Sequence, residues 1–334
     1  MTTIVLDAMG SDNYPDVDVR GAVMAAQEYD LDLILVGDKK QLLEHLPSNW
    51  QDLPIRIVHA PEMLTMDDKN DDLVRKARHK DAQNSMAIAI DLVKSGEANA
   101  FVTAGNTGAA MVTSLFRLGR LKGINRPALA HNFPTATGSC VVMDLGANPD
   151  CKPRNLVEFA IMGSIYAEKV RSIKNPKVGI ISNGEEKGKG TELIRETYPL
   201  LEEANINFTG NVEGKGIFKG KVDVAVTDGF TGNVMLKSSE AIAKLLTNKI
   251  KEEIMGGSLL TKIGGLLIKP AMAAVKEILD PSEVGGLPLL GVNGLVFIAH
   301  GSSDANAIKN AILAAKKVAE AGIIPAMREA IEKK

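Results

Sequence analysis

The chain has 334 residues, of which 45% are hydrophobic and 24% are charged, so it has enough apolar surface for a large core. A net charge of −2, one tryptophan and 4% aromatic residues provide neither a global attraction to nucleic acid nor stacking platforms, and no nucleic-acid partner is expected. Two cysteines are too few for a disulfide framework, and the first residues lack the basic and apolar regions of a signal peptide. We therefore expect a cytoplasmic protein, with association at a membrane surface left open.

Short β-branched runs alternate with segments of helical periodicity along most of the chain. In chain order, strands are predicted at 3–6, 31–36, 55–58, 100–103, 140–143, 178–181, 222–226 and 295–298. Helices are predicted at 17–29, 71–94, 107–118, 154–170, 191–203 and 304–321. The strands are nearly all apolar, which is typical of a mostly parallel sheet buried on both faces. The sequence predicts a single α/β domain over residues 1–334, with a doubly wound, mostly parallel sheet and helices on both faces.

One segment, 230–279, has helical periodicity and no strand pattern, which predicts a helical appendage projecting from the sheet. Glycine pairs at 256–257 and 264–265 are expected to separate a short helix at 258–263 from its neighbours. The apolar residues of segment 230–279 include Leu260 and Leu267, and they are interleaved with lysines such as Lys262. Apolar positions at this spacing favour either a core or dimer interface, or a basic amphipathic helix lying on an anionic membrane.

Polar, glycine-containing loops follow six of the predicted strands. They lie at 7–12, 103–109, 144–148, 183–190, 227–233 and 300–304. Ligands of open α/β sheets bind beyond the carboxyl ends of the strands, so we expect all six loops at one edge of the sheet. Small residues allow close approach of the backbone, and helix N-termini favour anions. The hydroxyl, amide, carboxylate and lysine side chains of these loops favour an oxyanion substrate over a hydride donor.

Several other site types are excluded by spacing. Gly10 stands alone where a dinucleotide site requires G-x-G-x-x-G, Gly105 and Gly108 are spaced G-x-x-G, and the Walker pattern is absent. The sequence has no cysteine–histidine cluster with metal-ligand spacing and no G-x-S-x-G elbow. Cys140 and Cys151 are interpreted as small core residues. No metal and no cofactor are predicted.

Six motifs together resemble the phosphate acyltransferase family of bacterial phospholipid synthesis along the whole chain. They are DAMGSD at 7, TAGNTGA at 103, INRPALA at 124, MDLGAN at 143, VTDGFTGN at 226 and AHGSSD at 299. The segment 74–78, leading to Asn84, is also similar. Ser11 stands where the family usually has glycine, and 182–188 departs from the common pattern, although Lys189 corresponds to the family's lysine.

The resemblance implies a function and a set of partners. Members of the family convert acyl-(acyl carrier protein) and inorganic phosphate into acyl phosphate and free carrier. Their fold is similar to that of phosphotransacetylases and of isocitrate and isopropylmalate dehydrogenases. The resemblance also implies a homodimer at the membrane periphery, whose product is used by a downstream acylglycerol-phosphate acyltransferase.

This reaction requires mainly proximity and charge stabilisation, because a thioester is electrophilic and phosphate already carries nucleophilic oxygens. We expect direct attack without an acyl-enzyme. Lys189 would neutralise phosphate or the oxyanion, Asp228 and Asn233 would position the nucleophile, and His300 would protonate the leaving thiolate. The structural alternatives are a solvated charge for Lys189, a helix cap for Asp228 and a structural hydrogen bond for His300.

Further residues are expected to bind substrate or partners. Those expected at the phosphate and substrate site are Asp7, Gly10, Gly105, Asn106, Thr107, Gly108, Asp144, Asn148, Gly232 and Ser302. Those expected to contact the carrier or a membrane are Lys244, Lys251, Leu260, Lys262 and Leu267. Three other functions stay open: a phosphotransacetylase-like enzyme using acyl-coenzyme A, a dehydrogenase, and a non-catalytic carrier-binding or membrane scaffold.

Overall fold

The computed structural model describes residues 1–64, 74–77, 79, 81–279 and 285–332. Eleven described strands form one sheet: β1 (Thr3–Asp7), β2 (Asp32–Gly37), β3 (Ile55–His59), β4 (Ala100–Thr103), β5 (Ala128–Thr135), β6 (Gly138–Met143), β7 (Lys177–Ile181), β8 (Asn207–Val212), β9 (Val224–Val226), β10 (Leu287–Leu290) and β11 (Leu295–Ile298). Their order across the sheet is β3-β2-β1-β4-β11-β10-β5-β6-β9-β7-β8.

The described helices lie between and beyond these strands. They are α1 (Asp16–Glu28), α2 (Lys39–His45), α3 (Ser85–Ser95), α4 (Thr107–Arg117), α5 (Pro153–Arg171), α6 (Glu192–Glu203), α7 (Gly214–Phe218), α8 (Gly229–Gly256), α9 (Leu259–Leu279), α10 (Ala305–Glu320) and α11 (Ile323–Glu332). Residues 74–77 are also helical. A 3-10 turn at Trp50–Asp52 precedes β3.

The sheet is buried on both faces. Alternate residues of β1 enter two separate core clusters: Ile4 and Leu6 belong to one, and Val5 to the other. The first cluster includes residues of α1, α5 and α10, and the second includes residues of α3 and α4. Successive side chains of a strand point to opposite faces, so helices cover both sides of the sheet. The predicted fold class is therefore confirmed.

The sheet is mostly parallel, but its two halves run in opposite directions. β1, β2, β3, β4 and β11 are mutually parallel, as are β6, β7, β8 and β9. Between them, β11–β10, β10–β5 and β5–β6 are antiparallel pairs, and three successive reversals invert the strand direction. The carboxyl ends of β1, β4 and β11 consequently lie at one edge of the sheet, and those of β6, β7 and β9 at the other. The prediction that all six polar loops share one edge is wrong.

Several elements differ from those predicted. β5, β8 and β10 were not predicted, because β5 carries polar residues and a proline, β8 is half polar, and β10 has four residues including a proline. Within the helix predicted at 71–94, residues 74–77 are helical, residues 81–84 are not, and α3 begins at Ser85. The side chain of Asn84 caps α3 by accepting from the amide of Ala87. Part of that prediction, including Arg78 of the 74–78 resemblance, lies outside the described residues.

The predicted appendage is helical, as α8 and α9. Among the described residues of these two helices, only Gly229 and Gly232, in the first turn of α8, are buried. α9 continues through the glycine pair 264–265, so the prediction of a separate short helix at 258–263 is wrong. A Cβ added at Gly265 would lie 2.3 Å from Cγ2 of Ile254, which shows that the two helices pack closely there.

Apolar side chains lie on the surface of this helical pair. Leu260 is 81% exposed and Leu267 is 77% exposed. Lys244, Lys251 and Lys262 are exposed as well. Within the described part of the chain, no helix is both long and apolar enough to cross a membrane.

Candidate active site

The predicted site residues form two groups at opposite edges of the sheet. The first, here the Asp7 group, follows β1, β4 and β11 and contains Asp7, Gly10, Gly105, Asn106, Thr107, Gly108, His300 and Ser302. The second, here the Asp228 group, follows β6, β7 and β9 and contains Asp144, Asn148, Lys189, Asp228, Gly232 and Asn233. The inversion of strand direction separates residues that the sequence analysis expected at one edge.

Asp7 links two loops of the first group by hydrogen bonds. Its carboxylate accepts hydrogen bonds from Oγ1 of Thr103 at 2.9 Å and from the amide of Met9 at 3.3 Å. A Cβ added at Gly10 would lie 2.8 Å from Oγ1 of Thr103 and 2.9 Å from the amide nitrogen of Gly105, so the loops need glycine for their close approach. Burial raises the pKa of Asp7, and its hydrogen bonds oppose that rise.

A second buried carboxyl group, that of Asp18 at the start of α1, lies close enough to Asp7 for the two charges to interact. Oγ of Ser11 donates to Oδ2 of Asp18 at 2.6 Å. Burial raises the pKa of Asp18 to about 7; the hydrogen bond from Ser11 opposes this rise, and the negative charge of Asp7 adds to it. The sequence analysis missed Asp18, and the substitution of serine for the usual glycine at position 11 was the available signal.

The remaining side chains of the first group make local hydrogen bonds. The side chain of Asn106 accepts from the amide of Ala109 at 3.0 Å and caps α4. Nδ1 of His300 lies 2.9 Å from Oγ of Ser302, and the ring is exposed. Thr107 and Gly108, in the first turn of α4, are exposed as well.

Asp144 organises the second group. Its Oδ1 accepts from the amides of Leu129 and Ala147, and its Oδ2 accepts from the amide and the side chain of Asn148. Burial raises the pKa of Asp144, and these hydrogen bonds oppose the rise. The loop that contains Asp144 and Asn148 is therefore fixed from both sides, against the start of β5 and within itself.

The first turn of α8 packs directly on this loop. The amide of Gly229 donates to the carbonyl of Asn148 at 2.8 Å. A Cβ added at Gly232 would lie 1.8 Å from the carbonyl oxygen of Asp144, so only glycine fits at this position. Asp144, Asn148 and Gly232 thus fix the position of the first turn of α8 against the 144–148 loop.

Asp228 directly precedes that first turn, and Asn233 directly follows it. Oδ1 of Asp228 accepts from the amide of Thr231 at 2.8 Å, and Oδ2 accepts from Oγ1 of Thr231 at 2.8 Å, so Asp228 is the N-cap of α8. Oδ1 of Asn233 lies 3.7 Å from where a Cβ of Gly146 would be. This glycine, with a φ of 129°, leaves the amide of Asn233 room beside the 144–148 loop.

The loop after β7 brings Lys189 to the same edge. Ile180 of β7 pairs with Val226 of β9 in a parallel arrangement, so the loops that follow these two strands begin next to each other. Two other lysines of this region are neutralised: Lys187 pairs with Glu202 at 2.7 Å, and Lys221 pairs with Glu185 at 2.6 Å. Lys189 is exposed, and among the described residues no carboxylate forms an ion pair with it.

Comparison with known proteins covers almost the whole chain. A family model described as "Fatty acid synthesis protein" matches residues 2–326. The phosphate acyltransferase of Geotalea daltonii is 48% identical over 330 residues, which are 98% of this chain and 94% of that protein.

Two solved structures share the fold. A phosphotransacetylase from Streptococcus pyogenes has a TM-score of 0.64 and 18% identity, covering 96% of this chain and 94% of that chain. A branched-chain phosphotransacylase from Enterococcus faecalis V583 has a TM-score of 0.59 and 15% identity, covering 96% and 99%. At these identities the likeness concerns the fold alone, whereas the 48% identity to Geotalea daltonii extends end to end. This chain belongs to the phosphate acyltransferase family.

Proposed function

We propose that this protein transfers a fatty acyl group from acyl carrier protein to inorganic phosphate, giving acyl phosphate for phospholipid synthesis. The end-to-end similarity to phosphate acyltransferases supports the reaction class. The observation that carries the proposal is the unpaired ammonium of Lys189, at the same sheet edge as Asp228 and Asn233. An unpaired cation beside a helix N-terminus favours a bound oxyanion.

The chemistry is a single displacement. An oxygen of hydrogen phosphate attacks the thioester carbon, the C–O bond forms, the C–S bond breaks, and the thiolate leaves with the bonding electron pair. Lys189 would offset negative charge on the phosphate or on the tetrahedral oxyanion. Asp228 would fix the first turn of α8, and Asn233 would offer its amide from that turn to the attacking phosphate. His300 as the proton donor to the thiolate remains a separate proposal, because it lies at the other edge.

The cysteines have no part in this scheme. Burial raises the pKa of the Cys140 thiol to about 12 and that of the Cys151 thiol to about 11. A thiol with so high a pKa supplies almost no thiolate at neutral pH, and the thiolate is the nucleophilic form. Direct attack by phosphate needs no acyl-enzyme.

We further propose that α8 and α9 contact the partners. Acyl carrier protein is acidic, and the exposed Lys244 and Lys251 on α8 would receive it by charge complementarity. Leu260 and Leu267 would enter an anionic membrane surface, with Lys262 at the headgroups. The protein would act as a homodimer whose acyl phosphate is consumed by an acylglycerol-phosphate acyltransferase.

The test uses purified protein, palmitoyl-carrier and inorganic phosphate, with hydroxylamine added to trap acyl phosphate as the hydroxamate. We expect hydroxamate formation that requires phosphate and releases carrier thiol in equal amount. The phosphotransacetylase fold favours a second candidate, an enzyme using acyl-coenzyme A, which the same assay with palmitoyl-coenzyme A distinguishes. Absence of phosphate-dependent thiol release with both thioesters would contradict both candidates and favour a scaffold.

A further inference from the structure

The segment that leads into β5 is held rigidly on both sides of Arg126. On one side, the amide of Asn125 donates to Oε2 of Glu158 at 2.8 Å, and Arg120 donates to the carbonyl of Asn125. On the other side, the carbonyl of Pro127 accepts from Nδ2 of Asn148 at 2.7 Å. Two residues later, the amide of Leu129 donates to Asp144 at 3.0 Å. The backbone of Arg126 is thus fixed against the Asp144–Asn148 loop that supports α8.

The side chain of Arg126 differs from those of neighbouring arginines. Arg154 pairs with Glu158 at 3.2 Å, and Arg120 donates to the carbonyl of Asn125. Arg126 is exposed, and among the described residues its guanidinium has neither an ion-pair nor a hydrogen-bond partner. A fixed backbone with a free guanidinium is an arrangement suited to an incoming anion.

The positive charge of Arg126 acts on Cys151, a residue close to Asp144 and Asp228. Burial and the negative charges of Asp144 and Asp228 raise the pKa of the Cys151 thiol, whereas the positive charge of Arg126 lowers it. The Cys151 thiol also contacts the carbonyl of Asn148 at 3.4 Å. Arg126 therefore acts on the same small region as the two carboxylates that position α8.

In the strand order of the sheet, the segments that carry Arg126 and Lys189 lie on opposite sides of β9. Arg126 lies two residues before the first residue of β5, and Lys189 lies in the loop after β7. The sheet order at this edge is β5-β6-β9-β7, and α8 begins directly after β9. The segments that carry the two cations therefore lie on either side of the strand that leads into this 28-residue helix, whose dipole is positive at its N-terminus.

We infer that Arg126 binds a phosphate group of a substrate at the start of α8, opposite Lys189. The planar guanidinium can donate two parallel hydrogen bonds to a phosphate, which an ammonium cannot do. This inference rests on the proposed function and adds a binding residue to it. The phosphate is either the inorganic substrate or the phosphodiester on the prosthetic arm of acyl carrier protein.

Steady-state kinetics of Arg126→Gln, Arg126→Lys and a control distinguish these sources. The control is Arg56→Gln, an exposed arginine on β3 that pairs with Glu97. We expect Arg126→Gln to raise the KM for inorganic phosphate at least ~10-fold, on the scale of one charge-assisted pair, with the carrier KM unchanged. Arg126→Lys should recover part of the loss, and Arg56→Gln should match the wild type. A rise in the carrier KM alone would also support the inference and would identify the phosphodiester as the ligand.

Direct binding separates this inference from the proposed function. Inorganic phosphate and phosphopantetheine are titrated separately against the wild type and Arg126→Gln, and the shift of the thermal transition is followed; the transition without ligand checks folding. We expect the half-saturating concentration of one of these ligands to be at least ~10-fold higher in the variant. Equal responses to both ligands, together with unchanged KM values, would overturn the role of Arg126. A wild type that binds phosphate but forms no acyl phosphate would instead contradict the proposed function.

Discussion

Lys187 and Lys189 stand two positions apart in one loop, yet only Lys187 is neutralised, by Glu202. This difference makes Lys187 a matched control for Lys189. We expect Lys189→Ala to lower kcat/KM at least ~100-fold, on the scale of losing one oxyanion-stabilising group. Lys187→Ala should stay within ~3-fold of the wild type, since it removes an exposed ion pair with Glu202 and a cation–π contact with Tyr198. Both values are measured with palmitoyl-carrier and phosphate.

Folding of both lysine variants is checked by their thermal transitions. If Lys189→Ala turned over at nearly the wild-type rate, Lys189 would have no part in the mechanism. An equal loss in both variants would point to the charge of the loop as a whole.

The high thiol pKa values of Cys140 and Cys151 predict that neither side chain carries the acyl group. Cys140→Ala and Cys151→Ala should both keep most of the wild-type activity, because direct attack by phosphate uses no thiolate. Mass spectrometry of turnover quenched in acid should find unmodified protein. A thioester adduct that forms and decays at the rate of turnover would refute direct displacement.

For individual residues, the sequence indicated which side chains belong near the site better than it indicated the contacts that those side chains make. Lys189, Asp228 and Asn233 were proposed from the glycine-containing loops and the resemblance, and the structure places them at one edge of the sheet. That Asp228 also caps α8 was an open alternative, and a hydrogen bond from Thr231 decides it. The unpaired state of Arg126 depends on residues far apart in sequence, so no local pattern could reveal it. The buried Asp18 had one local signal, the serine at position 11 that donates to it.

Secondary structure followed from periodicity wherever strands were apolar on both faces, as in β1, β4 and β11. The missed strand β5, with the sequence ALAHNFPT, has no such pattern, since it carries histidine, asparagine and proline. Together with β10 it produces the reversal of strand direction. A sequence reading without these two strands necessarily predicts one common edge for all six loops.

The exposed apolar side chains of α9 allow a test of membrane contact. We expect the double variant Leu260→Glu with Leu267→Glu to remain folded, because both leucines are almost fully exposed and no charge would be buried. It should turn over palmitoyl-carrier normally but no longer sediment with anionic vesicles. Leu43→Glu, at a 40% exposed position on α2, is the control and should still sediment.

The opposite outcome has a clear structural meaning. If the double variant aggregates, or if light scattering gives it a smaller mass than the wild type while Leu43→Glu matches the wild type, these leucines form a subunit interface. The membrane proposal for α9 would then be wrong.

The buried carboxyl group of Asp18 links the first loop to the stability of the whole molecule. Its pKa rises from an ordinary 3.8 to about 7 on folding, mainly through burial. Between these values the folded protein holds a proton that the unfolded chain has lost, so the contribution of Asp18 to stability falls as pH rises from about 4 to about 7. Above that range the folded state must hold a buried negative charge beside Asp7.

Asp18→Asn removes this dependence and keeps an oxygen that can accept from Ser11. We expect the thermal transition of the variant, relative to the wild type, to rise by several degrees from about pH 5 to about pH 8, which corresponds to at least ~1 kcal/mol. Asp16→Asn is the control, since Asp16 is half-exposed on the same helix and pairs with Arg20. Calorimetry at a series of pH values measures both differences. A difference for Asp18→Asn that stays constant with pH, or that shrinks as pH rises, would show that this carboxyl does not titrate between the folded and unfolded states as described.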